Sequence, residues 1–389
     1  MNAVYDHIIA ILVVGAIFVG TVVVMPTMSL MNLQAVDQQQ LRNTALNVFN
    51  AMLLDTGEPI NWGSIRDFEM NDPRVQRFGL ASVRDSTFYV LDPDKVQRLV
   101  VGNPLNYCEY DTVRKRLGLQ DYGFRLKIIP PFNVTFLSTS VTGDSLHYKV
   151  RVLYLDGTPI PNAQTYATVV YTKTTQGEDY FNITQSGPDK TNAMGICEGI
   201  TKLVISDPDY YMVTLRVTVA DVATLVVTSG QTSDNTIANI NIVYDTLILT
   251  TTKDPPDYKN PPHDNVWIYN IVAIGSQGSL WYLFKETKGQ DNMFNTGDGS
   301  FEYWDKIFYG LHDFEPVILI FNFWAVDDTG HGRQQVLIVM AYPDILGTGI
   351  FDYGGSPKSS GGATVKIQRS VVISSMTYTA ELWLWKESP

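Results

Sequence analysis

The chain has 389 residues, with 40 Asp and Glu against 28 Lys and Arg and a formal net charge of −12. Neutralising phosphates takes clustered Lys and Arg, so this balance argues against a nucleic-acid partner and against a body lying flat on anionic lipid. Charged residues are only 17 % of the chain while aromatics are frequent, a composition that suits extracellular β-domains better than a cytosolic enzyme.

The first element is an unbroken apolar run from Ile8 to Met25, with no charge from there through Pro26 to Val36. A helical membrane span takes roughly 20 apolar residues, and a soluble core helix shows polar residues every turn or two. The run is expected to leave water, either for membrane lipid or for a protein core made of copies of itself. No Lys or Arg precedes it and the first is Arg42, so it reads as a retained segment rather than a cleaved signal peptide. Beyond Met31 the pattern turns amphipathic, with Leu41, Ala45, Val48, Phe49, Met52 and Leu53 on one helical face. Asp55-Thr56-Gly57-Glu58-Pro59 supplies the stop. Residues 1–54 are therefore expected to form a transmembrane or assembly helix, kinked at Pro26.

Residues 55–125 read as a mixed connecting region. In it, Asp92-Pro93-Asp94 caps one short helix and Gly118 closes another. From Phe124 the period becomes two. His147–Val152 and Val213–Val219 alternate, the latter with its Thr and Arg expected to face solvent. Strands of this kind, punctuated by Gly, Pro and Asn, predict an Ig-like β-sandwich over 126–230 and a second β-rich domain over 231–389. The expected fold class is mainly β, with a long N-terminal hydrophobic α-helix and tandem antiparallel β-sandwich (Ig-like) domains. Asp254–Pro262 and Gly354–Gly362 read as long loops.

The N-terminus resembles the archaeal type IV pilin-like surface proteins, which carry a class III signal peptide. The residues behind the resemblance are a short head, Asp6 just before the apolar run, Pro26 in the helix interior, and the amphipathic continuation into a β-rich body. Removal of Met1 makes Asp6 the fifth residue, where that family carries an acid. Weaker phrases agree, among them Leu53–Trp62, Phe78–Ala81, Leu91–Lys95 and Leu382–Lys386. The resemblance implies a structural subunit of an extracellular pilus-like filament, held in the membrane before assembly and displaying its β-domains for adhesion or surface contacts. It also implies that Asp6 pairs with the N-terminal ammonium of a neighbour and sets the register of assembly together with Pro26. A solvated Asp6 beside His7 and a tolerated proline kink are the plainer alternatives. A single-pass anchored binding protein that never polymerises is the alternative to the filament as a whole.

Catalytic and cofactor signatures are absent: the sequence contains no GxSxG, HExxH, GxxxxGK[ST] or GxGxxG. No catalytic residue, cofactor or metal ligand is therefore assigned. Asp327–His331, His312-Asp313 and Asn295–Glu302 offer metal ligands, but hairpin or loop readings explain them as well. Asn133-Val134-Thr135 and Asn182-Ile183-Thr184 are candidate N-glycosylation sites for a chain outside the cell. Cys108 and Cys197, the only cysteines, are either a candidate disulfide or two buried thiols. Trp281, Tyr282, Trp304, Trp324, Trp383 and Trp385 are candidates for glycan or cell-surface contacts, or for core packing.

Overall fold

A computed structural model describes residues 3–65, 74–83, 89–100, 108–175, 178–231, 238–251, 265–285, 293–295, 303–326, 333–342, 350–357 and 363–387. The first helix, α1, runs Ala3–Leu54. A 3-10 turn at Trp62–Ser64 leads to β1 (Val90–Leu91), α2 (Pro93–Gln97) and α3 (Tyr110–Arg116). The strands that follow are β2 (Tyr122–Ile129), β3 (Asn133–Thr142), β4 (Ser145–Leu153), β5 (Gln164–Thr175), β6 (Glu178–Lys190), β7 (Ile196–Lys202), β8 (Tyr210–Val219) and β9 (Val222–Gln231). Next come β10 (Ala238–Val243), β11 (Thr246–Thr251), β12 (Asn265–Gly275), β13 (Leu280–Lys285), β14 (Met293–Asn295), β15 (Tyr303–Ile307) and the short α4 (Leu311–Phe314). The chain closes with β16 (Pro316–Val326), β17 (Arg333–Ala341), β18 (Phe351–Gly354), β19 (Thr364–Ile373) and β20 (Met376–Lys386).

Three packed units result. In the first, the amphipathic end of α1 lies on β19 and β20 of a sheet ordered β1-β19-β20-β2-β18. Leu41, Ala45, Val48, Phe49, Met52 and Leu53 are buried there, against Val371, Ile373, Leu382 and Leu384. Helical spacing gathers the first set on one stripe and the two-residue period gathers the second on one sheet face, so both patterns are satisfied at once. Asp55 ends the helix, its Oδ1 accepting a hydrogen bond from the Gly57 amide at 2.8 Å, and Gly57 takes φ +76°. The Trp62 indole is buried and donates to the Gly79 carbonyl at 2.9 Å.

The second unit packs the sheet β3-β4-β7 against the sheet β6-β5-β8-β9. Leu146, Val150 and Val152 from one meet Val169, Val213 and Leu215 from the other. In the third unit β10-β11-β15 covers β13-β12-β16-β17, with Ile242, Leu247 and Leu249 packed on Ile271, Leu319 and Phe321. The units are not beads on a string. Val170, Met212 and Leu225, on the far face of the second unit, share one apolar cluster with Ile274, Ile318 and Leu337 of the third and with the α1 residues of the first.

The expected fold class is corrected on two points. The chain is mainly β, but among the described residues no helix is long and apolar enough to cross a membrane. The membrane-anchor and transmembrane readings are withdrawn on that ground. Nor is the body a simple tandem of antiparallel sandwiches. Its first sheet is mixed, with β1 parallel to β19, and is covered by a helix. The polar side of β8 also departs from expectation: Thr214 is only 2 % exposed, because the third unit covers that face.

At the edge of the first sheet, the Arg125 guanidinium donates to both carboxylate oxygens of Asp352, with Nε to Oδ1 at 2.6 Å. Lys127 stands 3.6 Å away. These cations, Arg125 foremost, hold the Asp352 carboxyl below its ordinary range. The stabilisation is therefore present above the unfolded carboxyl pKa of about 4 and is lost as pH falls through the lower folded value. The pair is about one-third exposed, so Arg125→Gln should cost less than about 1 kcal/mol at neutral pH. In urea unfolding across pH, the gap between the two proteins should close in acid.

Candidate functional site

Two features stand apart from ordinary packing. The first is the N-terminal part of α1. Ile8, Ile9, Ile11, Leu12, Val13, Val14, Ile17, Phe18 and Val19 are 50–72 % exposed. Successive helical residues are rotated by about 100°, so consecutive apolar residues such as Ile11–Val14 point to every side of the helix. A helix that is apolar all round is normally buried all round. The opposite end of the same helix is buried in the head through a single stripe. A Cβ added at Gly15 or Gly20 would meet nothing within 4 Å. Nothing within the described head accounts for glycine at either position, although glycine costs a helix roughly 1 kcal/mol relative to alanine.

The second feature is a buried polar hub between the first and third units. Asp92 caps α2, its Oδ1 accepting from the Asp94 amide at 2.9 Å, and Pro93 opens the helix. That cap turns Asp94, Lys95, Gln97 and Arg98 inward, and all four are buried. Asp94 Oδ1 accepts from the Tyr342 hydroxyl at 2.6 Å and from Gln97 Nε2 at 3.0 Å. Its Oδ2 accepts from Ser64 Oγ at 2.9 Å and from the Tyr244 amide at 3.0 Å. Lys95 Nζ donates to the carbonyls of Thr56 and Ala81 at 2.9 and 2.8 Å, and lies 3.7 Å from Asp92. Arg98 donates to the Gly63 and Ile65 carbonyls, and Gln97 to the Ile242 carbonyl. Burial pushes the Asp92 and Asp94 carboxyls up and the Lys95 ammonium down. The donors are committed to main-chain carbonyls or to Asp94. This arrangement fastens the first unit to the third.

The hub was missed in the sequence because a short capped helix rich in charge reads as a solvated one. Its only signal is the Asp-Pro-Asp cap, which marks the helix without saying which way it faces.

Of the residues singled out from sequence, the side chains of Asp6 and Pro26 lie outside the described residues, although Pro26 falls within α1. Asn133 is exposed at the start of β3, and Asn182 is half-buried in β6. The structure does not bring Cys108 and Cys197 together. Both thiols are free and buried, Cys108 in the cluster of the first unit and Cys197 in the core of the second. Burial pushes the Cys108 thiol up to about 12, and Cys197 Sγ sits 3.1 Å from Thr165 Oγ1. Neither is placed for thiolate chemistry.

His312 stacks on the Tyr244 ring with centroids 5.0 Å apart. No group of three or more metal-ligating side chains occurs among the described residues. Asp327–His331 and most of Asn295–Glu302 lie outside them. Trp281 packs edge-on against Phe314, Trp385 is buried, Lys366 lies over Trp383, and Tyr282 is exposed. The side chains of Trp304 and Trp324 are outside the described residues.

No protein-family model matches the chain, and no curated protein does. Among solved structures it is similar to trypsin-activated alpha-2-macroglobulin from Escherichia coli at 10 % identity and a TM-score of 0.22, over 61 % of this chain and 19 % of that one. It is similar also to red sea bream transglutaminase at 11 % identity and a TM-score of 0.17, over 61 % of this chain and 34 % of that one. The chain thus spans about a fifth and a third of those proteins. Likeness at this level carries no conclusion about fold or activity.

Proposed function

We propose that this protein is a structural subunit that assembles with copies of itself through the N-terminal part of α1. The helices would form an apolar filament core, with the β-rich heads displayed around it outside the cell for lateral or adhesive contacts. The observation that carries this reading is the exposure of Ile8–Val19 on every side of the helix. One partner helix covers a single stripe of its neighbour. Covering the whole circumference takes neighbours on several sides, which describes the interior of a bundle rather than a dimer seam. Gly15 and Gly20, which have no packing role among the described residues, suit close approach of a neighbouring helix. The acidic head limits indiscriminate aggregation of the same molecules. No catalytic residue is assigned.

Sedimentation and electron microscopy of the full-length protein in detergent-free buffer test the reading. The expected result is elongated assemblies whose mass rises with protein concentration. A monomer at all concentrations, or one recovered only on added lipid vesicles, would overturn it.

A further inference from the structure

A cleft of about 290 Å³ opens between the outer face of β5 and β8 and the turn joining β12 to β13. Two hydrogen bonds pin that turn over the sheet. Gln185 Nε2 donates to the Gly278 carbonyl at 2.9 Å, and Arg216 Nη2 donates to Gln277 Oε1 at 2.7 Å. The walls therefore belong to two different units and are fixed relative to each other.

Strand register decides what faces the opening. Tyr166 on β5 is paired with Arg216 on β8, and Thr168 with Thr214, so with a two-residue period all four side chains stand on one face. The Arg216 guanidinium lies over the Tyr166 ring, 5.5 Å from its centroid. Its Nε is buried and has no partner, and neither does the hydroxyl of Thr214, which is almost wholly buried. Buried polar atoms are nearly always paired, and an orphan is costly. Here two orphaned groups able to donate line one small cavity.

The charge of the cavity is as informative as its donors. In a chain of net charge −12, no Asp or Glu is among the described residues that line this cleft, and Arg216 is the single charged residue among them. Leu225, Ile274 and the Tyr166 ring supply an apolar surface, while Thr168 and Gln277 add neutral hydrogen-bonding groups.

We propose that the cleft binds a small carboxylate carried on a hydroxylated ring, the chemistry of a uronic acid. The carboxylate accepts from Arg216 Nε and Thr214 Oγ1 once both side chains turn outward from their buried, unpaired positions. The ring lies on the apolar surface with its hydroxyls toward Thr168 and Gln277. This assignment is independent of assembly through α1, from which the cleft is separate.

Calorimetric titration of the full-length protein with glucuronate, glucose and inorganic sulfate tests it. Glucuronate is expected to bind, and to bind at least about tenfold more tightly than glucose, as a charge-assisted hydrogen bond warrants. Arg216→Gln should lose about tenfold or more in affinity for glucuronate. Thr214→Val should weaken binding severalfold without lowering the melting temperature of the ligand-free protein, because it removes an orphaned hydroxyl. That second variant separates a lost ligand contact from a lost fold. Absence of glucuronate binding, equal affinity for glucose, sulfate matching glucuronate, or unchanged affinity in either variant would each overturn the assignment.

Discussion

Replacing Asp94 by alanine is expected to destabilise the head by about 3–5 kcal/mol, measured by urea or thermal unfolding. The carboxylate accepts from Tyr342, Gln97, Ser64 and the Tyr244 amide, and Tyr342 and Gln97 are themselves buried. Their donors cannot turn to water when the acceptor disappears. Leaving buried donors unpaired costs about 1–3 kcal/mol each, and Arg98 loses the negative charge of Asp94, which favours its charged form. Asp94→Asn keeps the volume and one acceptor oxygen, so it should cost clearly less. Because the hub joins the first unit to the third, the alanine variant should also lose cooperativity, with two transitions replacing one.

A single charge in the exposed part of α1 should act in the opposite place. Val14→Asp is expected to abolish assembly in sedimentation and electron microscopy while leaving the unfolding of the head unchanged. Val14 is 65 % exposed, so in an isolated subunit the aspartate stays hydrated. In a core of packed helices the same carboxylate would have to leave water without a partner, at several kcal/mol per subunit. That cost recurs in every copy, so one substitution is enough. Val14→Leu, equally apolar, should assemble normally. An Asp variant that assembles as readily as the parent would remove the helix from the interface. A head destabilised by the change would mean that this part of α1 packs on the body after all.

The local signals in the sequence were strong where one period governed one element. The 41–53 stripe of α1, the Asp92 cap and the Gly118 stop all appear as read, with Asp92 at the N-cap of α2 and Gly118 at φ +69° beyond α3. The alternation in β4 and β8 likewise gives strands. What the sequence could not convey was which faces meet. Thr214 and Arg216 read as solvent-facing because alternation assigns two sides without saying what lies beyond the polar one. The apolar run reads as a transmembrane or an assembly helix because hydropathy measures only the departure from water, and lipid or a neighbouring helix satisfies it equally. The hub was illegible for a related reason: Lys95 and Arg98 are buried only because carbonyls of Thr56, Gly63, Ile65 and Ala81 converge on them from elsewhere in the chain. The two cysteines belong to cores that no spacing rule could distinguish.

The sheet that holds α1 draws β2 from the early part of the chain and β18, β19 and β20 from its last part. During synthesis, the greasy stripe from Leu41 to Leu53 emerges from the ribosome long before Leu382 and Leu384 exist to cover it. For most of translation the newborn polypeptide therefore presents two sticky surfaces, one to be hidden by β19 and β20 and the other, under the proposed assembly, by its siblings. Completion of the final hairpin is what decides between them: until β20 is laid down, both ends of the helix are available to neighbours, and afterwards only one is.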